Sequence, residues 1–282
     1  MARSKRSAAP KTASLLVELL TEELPPKSLA ALGQSFAGAV FEGLVDAGLV
    51  AAGVAYRRFA TPRRLAVLSP SVRDESPATE RAVQGPPVGA PPAAIAGFAR
   101  KNNVAVEALE RRQTPKGEVF VARVKAGGAS LDAAAGELVE KALKKLPIAK
   151  LMRWGAGEAQ FVRPVHRLVM LHGSRLVPGS VLGLASGNRT QGHRFMGKAQ
   201  IALRSADEYE SRLRDEGRVI ADFDKRRSEI AQQLSARARE LGASLGPEED
   251  RKTLLGEVSA LVEWPSVYPG GFDRAFHEVP QE

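Results

Sequence analysis

Residues 15–44 read Leu15-Leu-Val-Glu-Leu-Leu-Thr-Glu-Glu-Leu-Pro-Pro-Lys-Ser-Leu-Ala-Ala-Leu-Gly-Gln-Ser-Phe-Ala-Gly-Ala-Val-Phe-Glu-Gly-Leu44, and the hydrophobic period changes inside the stretch. Leu15 to Leu20 is a short apolar run interrupted only by Glu18, which reads as a buried strand. A turn follows at Thr21–Pro26. Beyond it Leu29, Leu32, Phe36, Val40 and Leu44 recur at three- and four-residue steps, one face of an amphipathic helix. Pro26 near the first turn and Gly48 just past the end supply start and stop signals. A strand followed directly by a helix that must cover it predicts a sheet with packed helices.

The same reading extends outward. Val54 to Ala60 and Leu65 to Leu68 flank Thr61-Pro62-Arg63-Arg64 and predict paired strands joined by a turn. Ser76 to Pro92 is crowded with Pro and Gly and reads as an exposed loop, an insertion or lid. Then come a short helix (Ala93 to Lys101), a strand (Glu118 to Lys125), a helix capped by Ser130 (Leu131 to Leu146) and extended segments (Phe161 to Leu171, Val181 to Leu184). From Asp207 onward the patterns are long, charge-rich and helical. Ile230, Leu234 and Leu241 lie on one stripe of Asp222 to Leu241, and Glu249 to Val262 runs to a break at Trp264-Pro265. The expected class is α+β, with mixed and antiparallel sheets packed by helices and a mainly helical segment after them. Three units are predicted: a flexible basic tail (1–12), an α+β domain (13–203) and a mainly helical segment (204–282). The last stops at Pro280-Gln281-Glu282 without a cap, as a truncated fragment would.

Composition narrows the function classes. The chain has 282 residues, 44% apolar and 26% charged, with no cysteine, which fits a folded protein and removes disulfides, thiolate nucleophiles and Cys-based zinc sites. The head carries Arg3, Lys5, Arg6 and Lys11 without a signal-type apolar stretch after it, and no uninterrupted apolar run reaches bilayer length, so a cytoplasmic location without membrane contact is expected. Formal net charge is +9, which favours a polyanionic partner. Between Lys141 and Arg175 eight Lys and Arg face the single acid Glu158.

Catalytic constellations are scarce. The histidines 166, 172, 193 and 277 form no His-x-x-x-His pair, so no metal site is predicted, and Gly-x-Ser-x-Gly is missing. Gly192 to Lys198 has phosphate-loop spacing but lacks the following Ser or Thr. It reads as a turn whose Arg189, His193, Arg194 and Lys198 can still meet phosphate. Glu22-Glu23 reads as charge near a helix N-terminus. A hydrolytic role for Glu22, Glu23 or His166 requires a pocket and a shifted pKa. Arg63-Arg64 can bind phosphate or pair internally with carboxylates. Trp154 beside Arg153, and Arg163 and His166 around Pro164, join a ring to cations as on a nucleic-acid surface, the alternative being a core Trp and a solvated face.

Eight motifs in order then resemble one family: Thr21-Glu-Glu-Leu-Pro-Pro26, Ala60-Thr-Pro-Arg-Arg-Leu-Ala-Val67, Gly97-Phe-Ala-Arg100, Met152-Arg-Trp-Gly155, Phe161-Val-Arg-Pro-Val-His166, Gly192-His-Arg-Phe195, Val219-Ile-Ala-Asp-Phe223 and Leu261-Val-Glu-Trp-Pro265. The string resembles the beta subunit of the heterotetrameric bacterial glycyl-tRNA synthetase. It departs from that pattern at Leu20 for glycine, Arg167 for Trp and Gln191 for Arg. The resemblance implies a fold similar to the editing-type module of the phenylalanyl-tRNA synthetase beta chain, and a complex of two alpha and two beta chains that joins glycine to its tRNA. The class II catalytic core, with ATP and Mg, would lie on the alpha subunit. This chain would bind no cofactor and would be inactive alone. Its partners would be the alpha subunit, tRNA and a second beta chain; Arg63, Arg64, Arg153, Trp154, Arg163, His166 and Arg194 are the candidate tRNA contacts, with no catalytic residue. A stand-alone module that reads structured RNA by shape is the competing expectation.

Overall fold

The computed structural model describes residues 12–114, 117–126, 128–271 and 273–278. The predicted basic tail, Thr12 apart, lies outside them. The chain opens with β1 (Thr12–Thr21), α1 (Pro26–Asp46), β2 (Arg57–Thr61) and β3 (Arg64–Arg73). An excursion follows: β4 (Thr79–Pro87), α2 (Pro92–Lys101), β5 (Glu110–Thr114) and β6 (Gly117–Ala126). After α3 (Leu131–Lys144) and the hairpin β7 (Met152–Arg153) and β8 (Gln160–Phe161), the chain returns with β9 (Val165–His172), β10 (Arg175–Leu176), β11 (Ser180–Val181) and β12 (Leu184–Gly187). The strands β13 (Arg189–Thr190) and β14 (Ile201–Ala202) precede α4 (Tyr209–Asp215), α5 (Phe223–Leu241) and α6 (Glu248–Ser259). The class is α+β.

The central sheet has seven strands in the order β11-β12-β9-β1-β3-β2, with β10 also on β9. Because side chains alternate across a strand, the inner strands β1, β3 and β9 feed two cores. Leu15, Val17 and Leu19 on β1, Leu65 and Val67 on β3, and Leu168 and Met170 on β9 join the buried faces of α1 and α3. Leu16, Ala66, Val169 and Leu171 point the other way, onto Ile201, Leu203, Tyr209, Leu213 and Val219. That double coverage is why β1 is apolar on both faces.

The helix α1 buries Leu29, Leu32, Phe36, Val40 and Leu44, as its period predicts. By length and composition it is apolar enough to cross a membrane, unlike the expectation for this chain, yet half of it is buried within the fold. Its apolar stripe is the cover of the sheet. Close contact is set at Gly33, where an added Cβ would lie 2.7 Å from Ala60 Cβ.

Three local readings change. The stretch 76–92 is not all loop: Thr79–Pro87 pairs with β6 as an edge strand. Proline is tolerated there because an edge strand need donate on one side only. Ser130 precedes α3 but its side chain makes no capping hydrogen bond, whereas Asp222 caps α5 by accepting from Asp224 N and Lys225 N at 3.0 and 3.1 Å. Residue 204 falls inside the packed body, since Leu203 and Ala206 share one cluster with Phe59 and Val169. The charge-rich texture that begins at Asp207 marks a change of element type on the second face of the sheet.

Candidate functional site

Six of the eight motif segments meet at one end of the sheet. Thr21 N donates to Arg63 O at 2.8 Å, Glu22 N to Pro164 O at 2.9 Å and Leu24 N to Pro62 O at 2.7 Å, so the turns 21–26, 61–64 and 163–166 are stitched together by backbone. Ala60 N donates to Ala221 O and Ile220 N to Glu263 O, which brings in 219–223 and 261–265. Arg63 Nη2 donates to Gly192 O at 3.1 Å and closes the set.

Under this surface lies a buried ionic network. Arg64, 0% exposed, lies 3.6 Å from Glu18 and 3.4 Å from Glu263, and it donates to Thr61 Oγ1 and to Gln191 O. Glu18 accepts from Thr190 Oγ1 at 2.6 Å and from the Tyr209 hydroxyl. Glu263 accepts from Thr61 at 2.8 Å and from Arg63 at 3.2 Å. Burial alone would raise the Glu263 carboxyl, but Arg64 and Arg63 hold it below the ordinary range. Burial raises the Tyr209 hydroxyl well above its usual value, with Glu18 adding to it. Arg226, buried and donating to Ser259 O, Ile220 O and Ala60 O, is lowered by burial to about 10 and so stays charged at neutral pH. Of the two readings left open for Arg63-Arg64, internal pairing is the one the geometry shows. Neither side chain is at the surface.

The remaining candidates sort into two exposed groups. His166 Nε2 lies 2.9 Å from Glu22 Oε1, and Arg194 donates to Glu22 Oε2 at 3.2 Å. The His166 hydrogen bond lowers the Glu22 carboxyl, the wrong direction for a general acid at neutral pH. Glu22 thus anchors the His166 ring and the Arg194 guanidinium, a role distinct from interaction with the α1 dipole, whose first turn carries no acid. On the β7–β8 hairpin, Arg153 lies 3.6 Å from Glu158 and Arg163 Nη1 lies 3.4 Å from Met152 Sδ. Trp154 is half-buried against the main core, so the ring supports the hairpin more than it faces solvent.

The phosphate-loop spacing at Gly192 to Lys198 has a packing cause. Gly192 N donates to Lys198 O, His193 N to Gly217 O and Lys198 N to Glu216 O, so these backbone donors are already taken. A Cβ on Gly197 would lie 2.0 Å from Gly217 O. The loop is pinned against Gly217, and it presents Phe195 at 87% exposure. Among the described residues no three His, Asp or Glu gather as a metal site.

Sequence reasoning missed two carboxylates. Glu18 was visible as the charge inside an apolar run, and Glu263 had no local signal for pairing with residues 200 positions away. The basic segment read from the sequence extends further. From Lys141 to Gln200 the chain has eleven Lys and Arg and one acid. Acids from elsewhere meet Lys141, Lys145, Arg175, Arg194 and Lys198. Arg163, Arg167 and Arg189 have no carboxylate partner among the described residues. Arg167 and Arg189 line a groove of about 400 Å³ between β9 and β12–β13.

A family profile described as glycyl-tRNA synthetase beta subunit matches residues 15–282. The chain is similar to the glycine–tRNA ligase beta subunit of Aromatoleum aromaticum, 51% identical over 281 residues that cover 96% of this chain and 40% of that protein. It is similar to the beta subunit named likewise in Neisseria meningitidis serogroup A, at 44% identity over 277 residues with the same two coverages, 96% and 40%. The corresponding subunit of Psychromonas ingrahamii is 42% identical over 276 residues, covering 95% of this chain and 39% of that protein. The chain therefore spans about 40% of the length of the curated relatives it matches.

Proposed function

This chain belongs to the glycyl-tRNA synthetase beta subunit family, and from that premise we propose that it is a tRNA-handling and assembly part of a glycine–tRNA ligase. In this reading the ATP-dependent attachment of glycine, with its Mg, is carried out on a cytoplasmic alpha subunit. This chain alone forms no glycyl-adenylate and holds no cofactor, and a second beta chain completes the assembly. The supporting observation is the imbalance of charge on the return half of the sheet. Three arginines there, Arg163, Arg167 and Arg189, have no acidic partner among the described residues. Guanidinium groups left without carboxylates at a surface suit phosphate oxygens, which accept the same planar pair of donors. His166, which lines the same groove as Arg167 and Arg189, and Arg194 are both held by Glu22, while Arg153 lies on the β7–β8 hairpin that precedes Arg163. Arg63 and Arg64 act from beneath, by fixing the turns that display the others.

The test uses the beta subunit containing this sequence, mixed with its alpha partner. Replacing Arg153 and Arg163 together by alanine should weaken tRNA binding and lower the slope of log affinity against log salt by up to about two, one for each lost phosphate contact. An unchanged slope alongside a lowered melting temperature would show that the two side chains serve only the hairpin. Equal binding of glycine tRNA and unrelated structured RNA, with no gain in charging on mixing, would favour the stand-alone module.

A further inference from the structure

We propose that the groove lined by β9 and the β12–β13 segment is a phosphate-binding subsite, with Arg167 as its main donor and Arg189 as a second lining cation. The inference rests on the tRNA-handling reading and deepens it by naming the chemical group the surface takes. Arg167 is half-buried. Its Nη1 is shielded from solvent and has no hydrogen-bond acceptor. No other hydrogen bond or ion pair reaches its side chain from the described residues. An unmet charged donor out of water carries a large desolvation cost, so the arrangement calls for an anion from outside.

The other shielded guanidinium atoms of this kind differ from it. Arg64 Nη1 faces Glu18 at 3.6 Å, and Arg212, whose Nε lacks a partner, is paired through Nη1 with Glu216 at 2.6 Å. Arg167 has no carboxylate partner among the described residues. The groove walls contain no Asp or Glu. Among the described residues Arg189 donates to the neutral Gln200, at 3.0 Å, a contact an anion can replace or share. The lining therefore includes two positive charges together with the apolar Leu168, Leu184 and Ala185, which suit a sugar edge.

Backbone geometry holds the donor in place. On β1 the partner of Leu20 is Arg167 and that of Thr21 is Val165, so His166 is the extra residue of a bulge. Bulges re-aim neighbouring side chains and bend the strand. Arg167 falls across Leu20 from Arg64, and Arg64 is locked by two carboxylates. The cation in the groove thus stands on a rigid row of the sheet. A phosphodiester of the tRNA backbone and the phosphate of a small nucleotide share this chemistry.

Two arms separate those sources. In the first, the chain is melted with and without inorganic phosphate or pyrophosphate; ligand that binds only the folded state raises the melting temperature. In the second, tRNA affinity is measured across salt concentrations. With Arg167→Gln the phosphate-induced rise should disappear and the tRNA salt slope should fall by about one. Arg167→Lys, which keeps the charge, should restore part of both. Loss of the phosphate effect with tRNA binding unchanged would keep the site and assign it to a small phosphorylated ligand, separating it from the tRNA reading. If Arg167→Gln does not fold, Arg189→Gln on the exposed wall replaces it. No rise with phosphate or pyrophosphate in the unaltered chain, together with an unchanged slope in the variants, would overturn the proposal.

Discussion

Arg64 and Glu263 show how much of this surface depends on side chains buried beneath it. Two guanidiniums, Arg63 and Arg64, and two carboxylates, Glu18 and Glu263, are buried within 3.2–3.6 Å of one another across three pairs. Each charge is tolerable only while its partners remain. Removing one member of such a set costs roughly 3–5 kcal/mol, because the others are stranded out of water. Glu263→Ala should therefore lower stability by about that much in urea unfolding, whereas Arg153→Ala, which ends an exposed pair, should cost about 1 kcal/mol or less. The pH dependence has a definite sign. Since Glu263 is held below its ordinary value, its contribution is fully present above the unfolded carboxylate range and is lost as pH falls through the folded value. Melting curves of Glu263→Gln should fall less steeply on acidification than those of the unaltered chain; parallel curves would show that the carboxylate is not linked to folding. In the sequence, Arg63-Arg64 left phosphate contact and internal pairing with carboxylates both open. The pairing with Glu263 was invisible there, because it depends on the return of residue 263 to the sheet.

At the scale of elements, the loop 191–200 illustrates a pattern that spacing alone misreads. Its glycines look like those of a phosphate cradle, yet they are required where the loop backbone rests on Gly217. An added Cβ on Gly192 would lie 2.7 Å from Gly217 O, and on Gly197 2.0 Å. Backbone must move in either case. Gly197→Ala should then destabilise by about 1–3 kcal/mol, the usual range for strained or overpacked positions, while Gly89→Ala, with nothing within 4 Å of the new methyl, should remain within about 0.5 kcal/mol. Equal melting temperatures for the two variants would refute the packing account. Elements with a long hydrophobic period were legible: α1 and β1 follow from residues 15–44, and the β2–β3 hairpin from the runs around Thr61 to Arg64. The edge strand β4 was not, since Pro86 and Pro87 mimic a loop. Gly85, where a Cβ would meet the Phe98 ring at 2.4 Å, added a second loop-like signal whose cause is tertiary. The two-residue strands β7 and β8 carry too few side chains to show a period at all.

For the whole molecule, the division that matters is between the central sheet and the excursion from Thr79 to Ala126. A boundary at 204 was suggested by the change to charged helical patterns, but composition records solvent exposure of a helix face and not the limits of a core. The excursion, which read as loop, helix and strand, has its own small sheet in the order β4-β6-β5 with α2 against β4. Its buried Ala99, Val119, Val121 and Ala122 belong to neither of the two cores that cover the central sheet. Its ends are tied together in the body: Ser76 N donates to Ala129 O at 2.9 Å, and Ala129 N to Ser76 Oγ at 2.7 Å. Replacing 79–126 by a short Gly-Ser linker would remove none of the core described for β1, β3 and β9. Shortening the closed loop about fivefold changes its closure entropy by only roughly 1 kcal/mol, in the favourable direction. The shortened chain should therefore fold cooperatively with a melting temperature near that of the unaltered one. It should also retain the effect of phosphate on melting, because Arg167 and Arg189 lie outside the removed segment. In the intact chain, amides of 79–126 should exchange through openings of lower free energy than those of β1, β3 and β9. Uniform protection across both regions, or collapse of the shortened chain, would mean that the excursion and the sheet stand or fall together.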